Sequence, residues 1–391
     1  MPQLSKKTET FSESVIRSMT RIANKYGSIN LSQGFPDFDP PKEITDKLSE
    51  IAKEGPHQYS VTWGAQNFRE ALANKLNHFA PLDLEPNKNI IITCGSTEAM
   101  MASLLSVINQ GDKVIIFSPF YENYTADTIL SGAEPIYVPL NPPEFSFNKI
   151  ELEQAFKQNP KAIVICNPSN PTGKVFTYEE LEYISELAIK YDTWVITDEV
   201  YEHIVYPPYK HIAIASLPNM KDRTITCSSL SKTYSITGWR LGYIYGPEFA
   251  INAIKKVHDF LTVGAAAPLQ EAAIVGLNMD DSYYQNLQTS YLNKRDIFIS
   301  YLDKAKLKYT IPQGSYFVLV DISEFDSTDD TKFCMWLAKE VKVAAVPGSS
   351  FFKENITNLI RFHYAKKEET LHSAGQKLLK LREIWDEKGY K

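Results

Sequence analysis

Long apolar runs are missing from this chain. No window approaches the 18 consecutive apolar residues that a membrane-spanning helix needs. The opening stretch, Met1 to Ser14, is polar and lacks the apolar centre of a secretory signal. Cysteine is scarce: Cys94, Cys166, Cys227 and Cys334 are the only four, with no C-x-x-C pair among them. The first three lie in or at the ends of apolar runs, which fits free thiols in a reducing compartment rather than disulfides or a metal centre. The cytoplasm is therefore the expected location, and no metal is expected. Positive charge is not in excess either. The net charge is −6, with Lys and Arg scattered, so nucleic acid finds no electrostatic foothold. Internal repeats, low-complexity tracts and Gly/Ser linkers are also absent.

What remains is the balance of a globular enzyme, 43% hydrophobic and 23% charged, which leaves no long stretch to be disordered. At 391 residues the chain is too long for one ordinary core, and two or three domains are expected. Short continuous apolar runs recur, each followed by a helical pattern. They are Asn89–Thr93, Lys113–Phe117, Lys161–Cys166, Thr193–Thr197 and Arg223–Cys227. Continuous rather than alternating runs predict strands buried on both faces, and their alternation with helices predicts an α/β fold around a largely parallel sheet. Thr177 and Glu180 form a T-x-x-E capping box that predicts a helix from about Tyr178. From about Tyr284 the texture changes. A long polar helical stretch (about 283–305) leads to Tyr316–Asp321, a helix near Thr331–Val341 and a last helix from about Lys367. This predicts an amino-terminal arm over 1–45, a large domain over 46–284 and a smaller one over 285–391.

Ligands of parallel sheets gather at the carboxyl ends of the strands. Four loops with unusual residues sit there: Gly95-Ser96-Thr97, Asn167–Gly173, Asp198–Tyr201 and Ser228–Lys232. Lys232, just after a strand and among small hydroxyl residues, can act as a nucleophile toward an aldehyde. Arg240, eight residues on, together with serine hydroxyls suits a phosphate. Asp198 closes a strand and can hold a ring nitrogen protonated, with Tyr201 in reach of a ring oxygen. Gly95-Ser96-Thr97 offers free N–H groups at a helix amino end, another anion site. Arg361 lies in an apolar run, where a charge is costly. Its partner is either an acid of the same protein or a substrate carboxylate held bidentately.

Together these pieces resemble the fold-type I pyridoxal-phosphate enzymes, the class I/II aminotransferases. The resemblance rests on LSQGFPDF (31–38), QYSVTWG (58–64), CGSTEAM (94–100), SPFYENY (118–124) and NPSNPTGKVF (167–176). It continues through DEVYEHIVY (198–206), SLSKTYSITGWRLGY (229–243) and IRFHYAKKEETL (360–371). LSQGFPDF and VPGSSFF (346–352) are most similar to the branch of bacterial methionine aminotransferases and kynurenine–oxoacid aminotransferases. The resemblance implies a large domain whose mostly parallel sheet, of the seven-stranded type, lies between helices, beside a smaller α+β domain. It implies pyridoxal 5'-phosphate as cofactor, with Lys232 carrying it and moving the proton. Asp198 would pair with the ring nitrogen, Asn170 and Tyr201 with the ring oxygen, and Tyr121 would stack on the ring. Ser96, Thr97, Ser229 and Arg240 would cradle the phosphate, with Tyr59 reaching it from a neighbouring subunit. Arg361 would clamp the substrate carboxylate, helped by Gly34 and Asn170.

The reaction so implied moves the amino group of a neutral amino acid to a 2-oxo acid. Methionine comes first, then aromatic amino acids, glutamine and kynurenine, and the implied assembly is a homodimer with shared active sites. Aromatic residues near the motifs (Phe35, Trp63, Tyr121, Phe351) fit such substrates. Two departures stand out: lysine is frequent in this branch where Arg240 stands, and VGAAAP (263–268) is small and bland where relatives line a neighbour's pocket. A β-eliminating C–S lyase would use the same constellation. A cofactor-dependent sensor would need an added DNA-binding module, for which the motifs leave no room.

Overall fold

The computed structural model describes residues 2–11, 13–325 and 329–389. The strands in chain order are β1 (Ile29–Asn30), β2 (Ile90–Thr93), β3 (Lys113–Ser118), β4 (Glu134–Asn141), β5 (Ser146–Phe147), β6 (Ala162–Cys166) and β7 (Trp194–Asp198). There follow β8 (Thr224–Ser229), β9 (Gly242–Tyr245), β10 (Lys308–Tyr309), β11 (Phe317–Asp321), β12 (Val343–Ala344), β13 (Val346–Pro347) and β14 (Leu359–His363). The main sheet has the order β2-β9-β8-β7-β6-β3-β4-β5. Seven strands carry it, and the two-residue β5 pairs only with the end of β4. The pairs β8–β7, β7–β6, β6–β3 and β3–β4 are parallel, whereas β9 is antiparallel to both its neighbours, β2 and β8.

The apolar runs are buried on both faces as their composition requires. Val114 and Ile116 pack on one side, with Ile196, Ile225 and the helices Ser96–Val107 and Glu248–Thr262. Ile115 and Phe117 pack on the other, with Ile163, Val195 and the helices Lys149–Phe156 and Tyr178–Lys190. Two of the seven main strands of this sheet escaped the sequence reading for physical reasons. β4 carries Pro135 and Pro139, which a central strand does not tolerate; most of its outer edge is unpaired, so the missing N–H groups cost little. β9 is only four residues long and runs the other way, so no strand-then-helix pattern marks it.

A second sheet, in the order β10-β11-β14-β13, is antiparallel. Phe317, Val318, Val320, Ile360 and Phe362 pack there with Tyr291, Phe298 and Leu302 of the helix Asp281–Lys304 and with Leu371 and Leu378 of the helix Glu368–Leu378. Helix Asp281–Lys304 runs unbroken across residues 284–285. Its first turn touches the side of the main sheet, where Tyr284 shares a hydrogen bond with Tyr234 at 2.8 Å. The helix expected near Thr331–Val341 begins at Asp330 and widens into π-helical turns over Leu337–Val341. The amino-terminal arm joins the second sheet's side through β1, parallel to β12, and through Met19 and Leu31 in its core.

The capping box is present. Thr177 Oγ1 accepts the Glu180 N–H at 3.2 Å, and Glu180 Oε2 accepts the Thr177 N–H at 2.9 Å. Replacing Thr177 with Ala should cost about 1 kcal/mol, read as a lower urea midpoint with unchanged slope. An unchanged midpoint would show that the cap adds nothing.

Candidate active site

The reversed direction of β9 decides the layout. Because it runs opposite to its neighbours, its first residue, Gly242, pairs with the last residues of β2 and β8, Thr93 and Ser229. One edge of the sheet therefore gathers the ends of β2, β6, β7 and β8 and the turn that carries Arg240. The approach is so close that a Cβ on Gly242 would lie 2.4 Å from the carbonyl carbon of Gly95, and a Cβ on Gly95 would lie 2.2 Å from Arg240 Nη2. Gly95 also has φ +84°, a conformation other residues rarely adopt.

Asp198 ends β7 and is buried. Tyr124 donates its hydroxyl proton to Asp198 Oδ2 at 2.8 Å, and the Val200 N–H reaches Oδ1 at 3.3 Å. Burial pushes the carboxyl up to about 6, against the pull of these hydrogen bonds and of the Lys232 charge. Burial likewise lifts Asp127 to about 7, with Asp198 adding to it. Lys232 follows β8. Its Nζ donates to the Gly34 carbonyl at 3.3 Å and lies 5.9 Å and 5.7 Å from the ring centres of Tyr201 and Tyr316. Tyr316 donates to the same carbonyl at 2.8 Å. Tyr201 meets Tyr316 and Phe317 edge to face.

Arg361 sits on β14 with only 1% of its surface exposed. Nη1 donates to Asn170 Oδ1 at 2.6 Å, Nη2 donates to the Ser32 carbonyl at 2.9 Å, and Nε has no partner. The guanidinium lies between the rings of Phe317 and Phe351, 4.2 Å and 4.5 Å from their centres. Its hydrogen bonds thus go to neutral oxygens, and among the described residues it forms no ion pair. Burial lowers it to about 10, so it remains a cation at neutral pH.

Around Gly95 a different set assembles. Ser96 and Thr97 begin the helix Ser96–Val107, with their N–H groups at its open end. Ser229 Oγ accepts the Ser231 N–H at 3.3 Å, while the buried Ser231 Oγ has no partner. Arg240 Nη1 and Nη2 reach only the carbonyls of Thr237 and Cys94, at 3.3 and 3.5 Å.

A single cavity of about 1110 Å³ collects Gly34, Ser96, Thr97, Tyr121, Asn170, Asp198, Tyr201, Ser229, Lys232, Arg240 and Arg361. Tyr59 is not among its lining residues; it stands 88% exposed. Of the aromatics expected near a substrate, Phe35 and Tyr121 line the cavity and Phe351 backs Arg361, but Trp63 packs away against Lys255 instead. Sequence reasoning missed Tyr124, Ser231 and Tyr316. Tyr124 lay in the quoted SPFYENY and Ser231 in SLSK, so the signal was present without a geometry to assign it. All four cysteines are free thiols. Glu199, Glu202 and His211 bring acceptor atoms within 4.8 Å of one another, but Lys75 already supplies the cation, 3.1 Å from Glu202. Among the described residues no helix is long and apolar enough to cross a membrane.

Residues 26–378 match the family described as aminotransferase class I and II. The chain belongs to the class I and II aminotransferases. Methionine aminotransferase of Escherichia coli (strain K12) is 34% identical over 368 residues, 94% of this chain and 95% of that one. Kynurenine–oxoglutarate transaminase 3 of Rattus norvegicus is 35% identical over 400 residues, 94% and 88%. An Escherichia coli structure reported with a methionine aminotransferase function matches with a TM-score of 0.93 at 34% identity, covering 97% of this chain and 99% of that chain. N-succinyldiaminopimelate aminotransferase of Mycobacterium tuberculosis matches with a TM-score of 0.94 at 32% identity, covering 97% and 100%. This aminotransferase fold is the α/β, fold-type I architecture expected.

Aminotransferases of this family depend on pyridoxal phosphate, and the donor set fits that group. The unpartnered Ser231 hydroxyl, the helix end and Arg240 suit a phosphate, Asp198 suits a protonated ring nitrogen, and Lys232 suits an aldehyde.

The Asp198 shift carries a stability consequence. Its folded pKa of about 6 lies above the ordinary 3.8, so cofactor-free protein loses stability as pH rises through that window. Asp198→Asn removes this loss. In urea unfolding of cofactor-free protein, the variant should gain on the wild type by a growing margin between pH 4 and 7. A margin that is constant with pH would contradict the assignment.

Proposed function

We propose that the protein transfers the amino group of a neutral amino acid, methionine first, to a 2-oxo acid, as a cytoplasmic homodimer. Aromatic amino acids, glutamine and kynurenine follow methionine. The observation that carries this reading is one cavity in which a buried arginine without an acidic partner faces the lysine and the aspartate that a transaminase needs. Relatives named as transaminases of methionine and of kynurenine support the substrate class, and none of the named relatives gives C–S elimination or a sensory role any support.

When bound, pyridoxal phosphate supplies an electron sink that stabilises negative charge on the amino acid's Cα. The chain supplies the rest. Arg361 anchors the substrate carboxylate and so fixes which Cα bond faces the sink. Asn170 spends its Oδ1 on Arg361, which leaves its amide N–H groups to reach the ring oxygen beside Tyr201. Asp198, oriented by Tyr124, holds the ring nitrogen protonated. Lys232 moves the proton: its amine rests on a carbonyl and two ring faces, none of which neutralises it. Tyr121 stacks on the ring. Ser96, Thr97, Ser229, Ser231 and Arg240 hold the phosphate. Phe35, Phe120, Phe317 and Met101 give the cavity apolar walls suited to a neutral side chain.

A second copy is supported by the surface beside the cavity. Tyr59 and Phe260, 88% and 92% exposed, stand with Val61, Leu261 and Val263 on neighbouring segments. Leu261 also lines the cavity. Large apolar side chains grouped in this way suit burial against a partner.

Methionine added alone should change the visible spectrum of the holoenzyme, and an oxo acid should restore it; Lys232→Ala should respond to neither. A holoenzyme that ignores methionine but answers another donor would remove the methionine assignment. Light scattering should give twice the chain mass, and a monomer at high concentration would refute the shared site.

A further inference from the structure

His258 takes no part in the reaction outlined above, yet it is completely buried on the helix Glu248–Thr262. Its Nδ1 lies 2.9 Å from Glu98 Oε1, and its Nε2 lies 2.9 Å from the carbonyl oxygen of Thr62. A carboxylate and a peptide carbonyl can only accept, so both ring nitrogens must donate. A neutral ring would turn a lone pair against one of the two oxygens. Glu98 is well placed as the anion. Its other oxygen accepts the Cys94 N–H at 3.0 Å, and it stands in the first turn of the helix Ser96–Val107, where the helix dipole favours negative charge. Burial would pull the ring's pKa down, but the hydrogen bond and charge of Glu98 outweigh it and hold His258 above the ordinary histidine value. The other groups facing the ring are the Thr262 hydroxyl, 3.4 Å from Nδ1, and the charge of Asp259 on the same helix.

The two oxygens belong to different parts of the site. Glu98 grips the N–H of Cys94, whose carbonyl accepts from Arg240, so the residue that precedes the Gly95-Ser96-Thr97 turn is held through both its N–H and its carbonyl. Thr62 belongs to the loop that presents Tyr59. That loop is pinned further by the buried Gln270, which bonds Ser60 at 3.1 Å and the Ala65 N–H at 2.8 Å, and by Ile92, whose N–H reaches the Trp63 carbonyl at 3.0 Å.

We propose that His258 is a positioning residue: a buried imidazolium that ties the phosphate-holding turn to the Tyr59-bearing loop, so that affinity for the cofactor's phosphate depends on it. This rests on reading Gly95–Thr97 and Arg240 as the phosphate cradle.

Two measurements test it. In nitrogen-15 histidine spectra of the holoenzyme at about pH 8, where an ordinary histidine is neutral, the signals lost in His258→Gln should belong to a ring protonated on both nitrogens. One unprotonated nitrogen overturns the imidazolium. The second compares dissociation constants for pyridoxal phosphate and for pyridoxal, which lacks the phosphate. His258→Leu should weaken the former about tenfold and the latter less than about twofold, and Arg240→Ala should show the same selectivity. Equal losses for both ligands in His258→Leu, or no loss, overturn the positioning role while a phosphate-specific loss in Arg240→Ala leaves the cradle standing. If Arg240→Ala also spares pyridoxal phosphate, the cradle reading fails and the inference with it. Should His258→Leu not fold, His258→Gln carries the same comparison.

Discussion

A buried cation with only neutral hydrogen-bond partners is the constraint around which this molecule is arranged. Arg361 lies on a strand of the second sheet, is held by Asn170 from a loop of the main sheet, and donates to Ser32 in the amino-terminal arm. Three parts of the chain meet on one guanidinium. Removing such a group from water costs several kcal/mol. Two carbonyl-type oxygens and two ring faces offset part of that cost. The remaining Nε has no partner, and a carboxylate is the group suited to it. A fold that paired Arg361 with an acid of its own would be better balanced at rest and poorer at holding substrate.

The second organising device is the close approach at the sheet edge. Reversing β9 brings Arg240 to the same edge as the ends of β2 and β8, and only glycine at 95 and 242 lets the backbones and the guanidinium meet there. Arg240, hydroxyls and a helix end there offer donors suited to negative charge. Across the edge, burial makes the charge of Asp198 costly despite the Tyr124 hydroxyl and the nearby Lys232 charge. The guanidinium groups of Arg240 and Arg361 and the carboxyl group of Asp198 thus line one cavity, a pattern suited to a ligand that is itself zwitterionic.

Much of this was legible in the sequence where one residue type has one physical use. The apolar runs read as buried strands and the T-x-x-E pair as a helix start, while the lone arginine in LIRF read as a buried charge whose partner was either an acid of the chain or a substrate carboxylate. Other features depend on geometry that spacing does not carry. β4 was hidden by its prolines and β9 by its length and direction. Tyr121 and Tyr124 stand three residues apart in one motif, and only the start of the helix Glu122–Leu130 decides which of them reaches Asp198. Trp63 read as a pocket aromatic because it lies in the motif QYSVTWG, whereas its ring packs against Lys255. His258, a single histidine in a helical pattern, gave no signal until its two acceptors were seen.

Arg361, paired with no acid among the described residues, is proposed to hold the substrate's carboxylate. The most direct measurement is the affinity of the holoenzyme for the carboxylic acid that is methionine without its amino group, in wild type and in Arg361→Leu, with cofactor content checked in both. Saturable binding that competes with methionine is expected in the wild type. In the variant the affinity should be weaker by about a hundredfold, at unchanged cofactor content. Equal affinity in the two proteins would contradict it, because the carboxylate would then be held elsewhere.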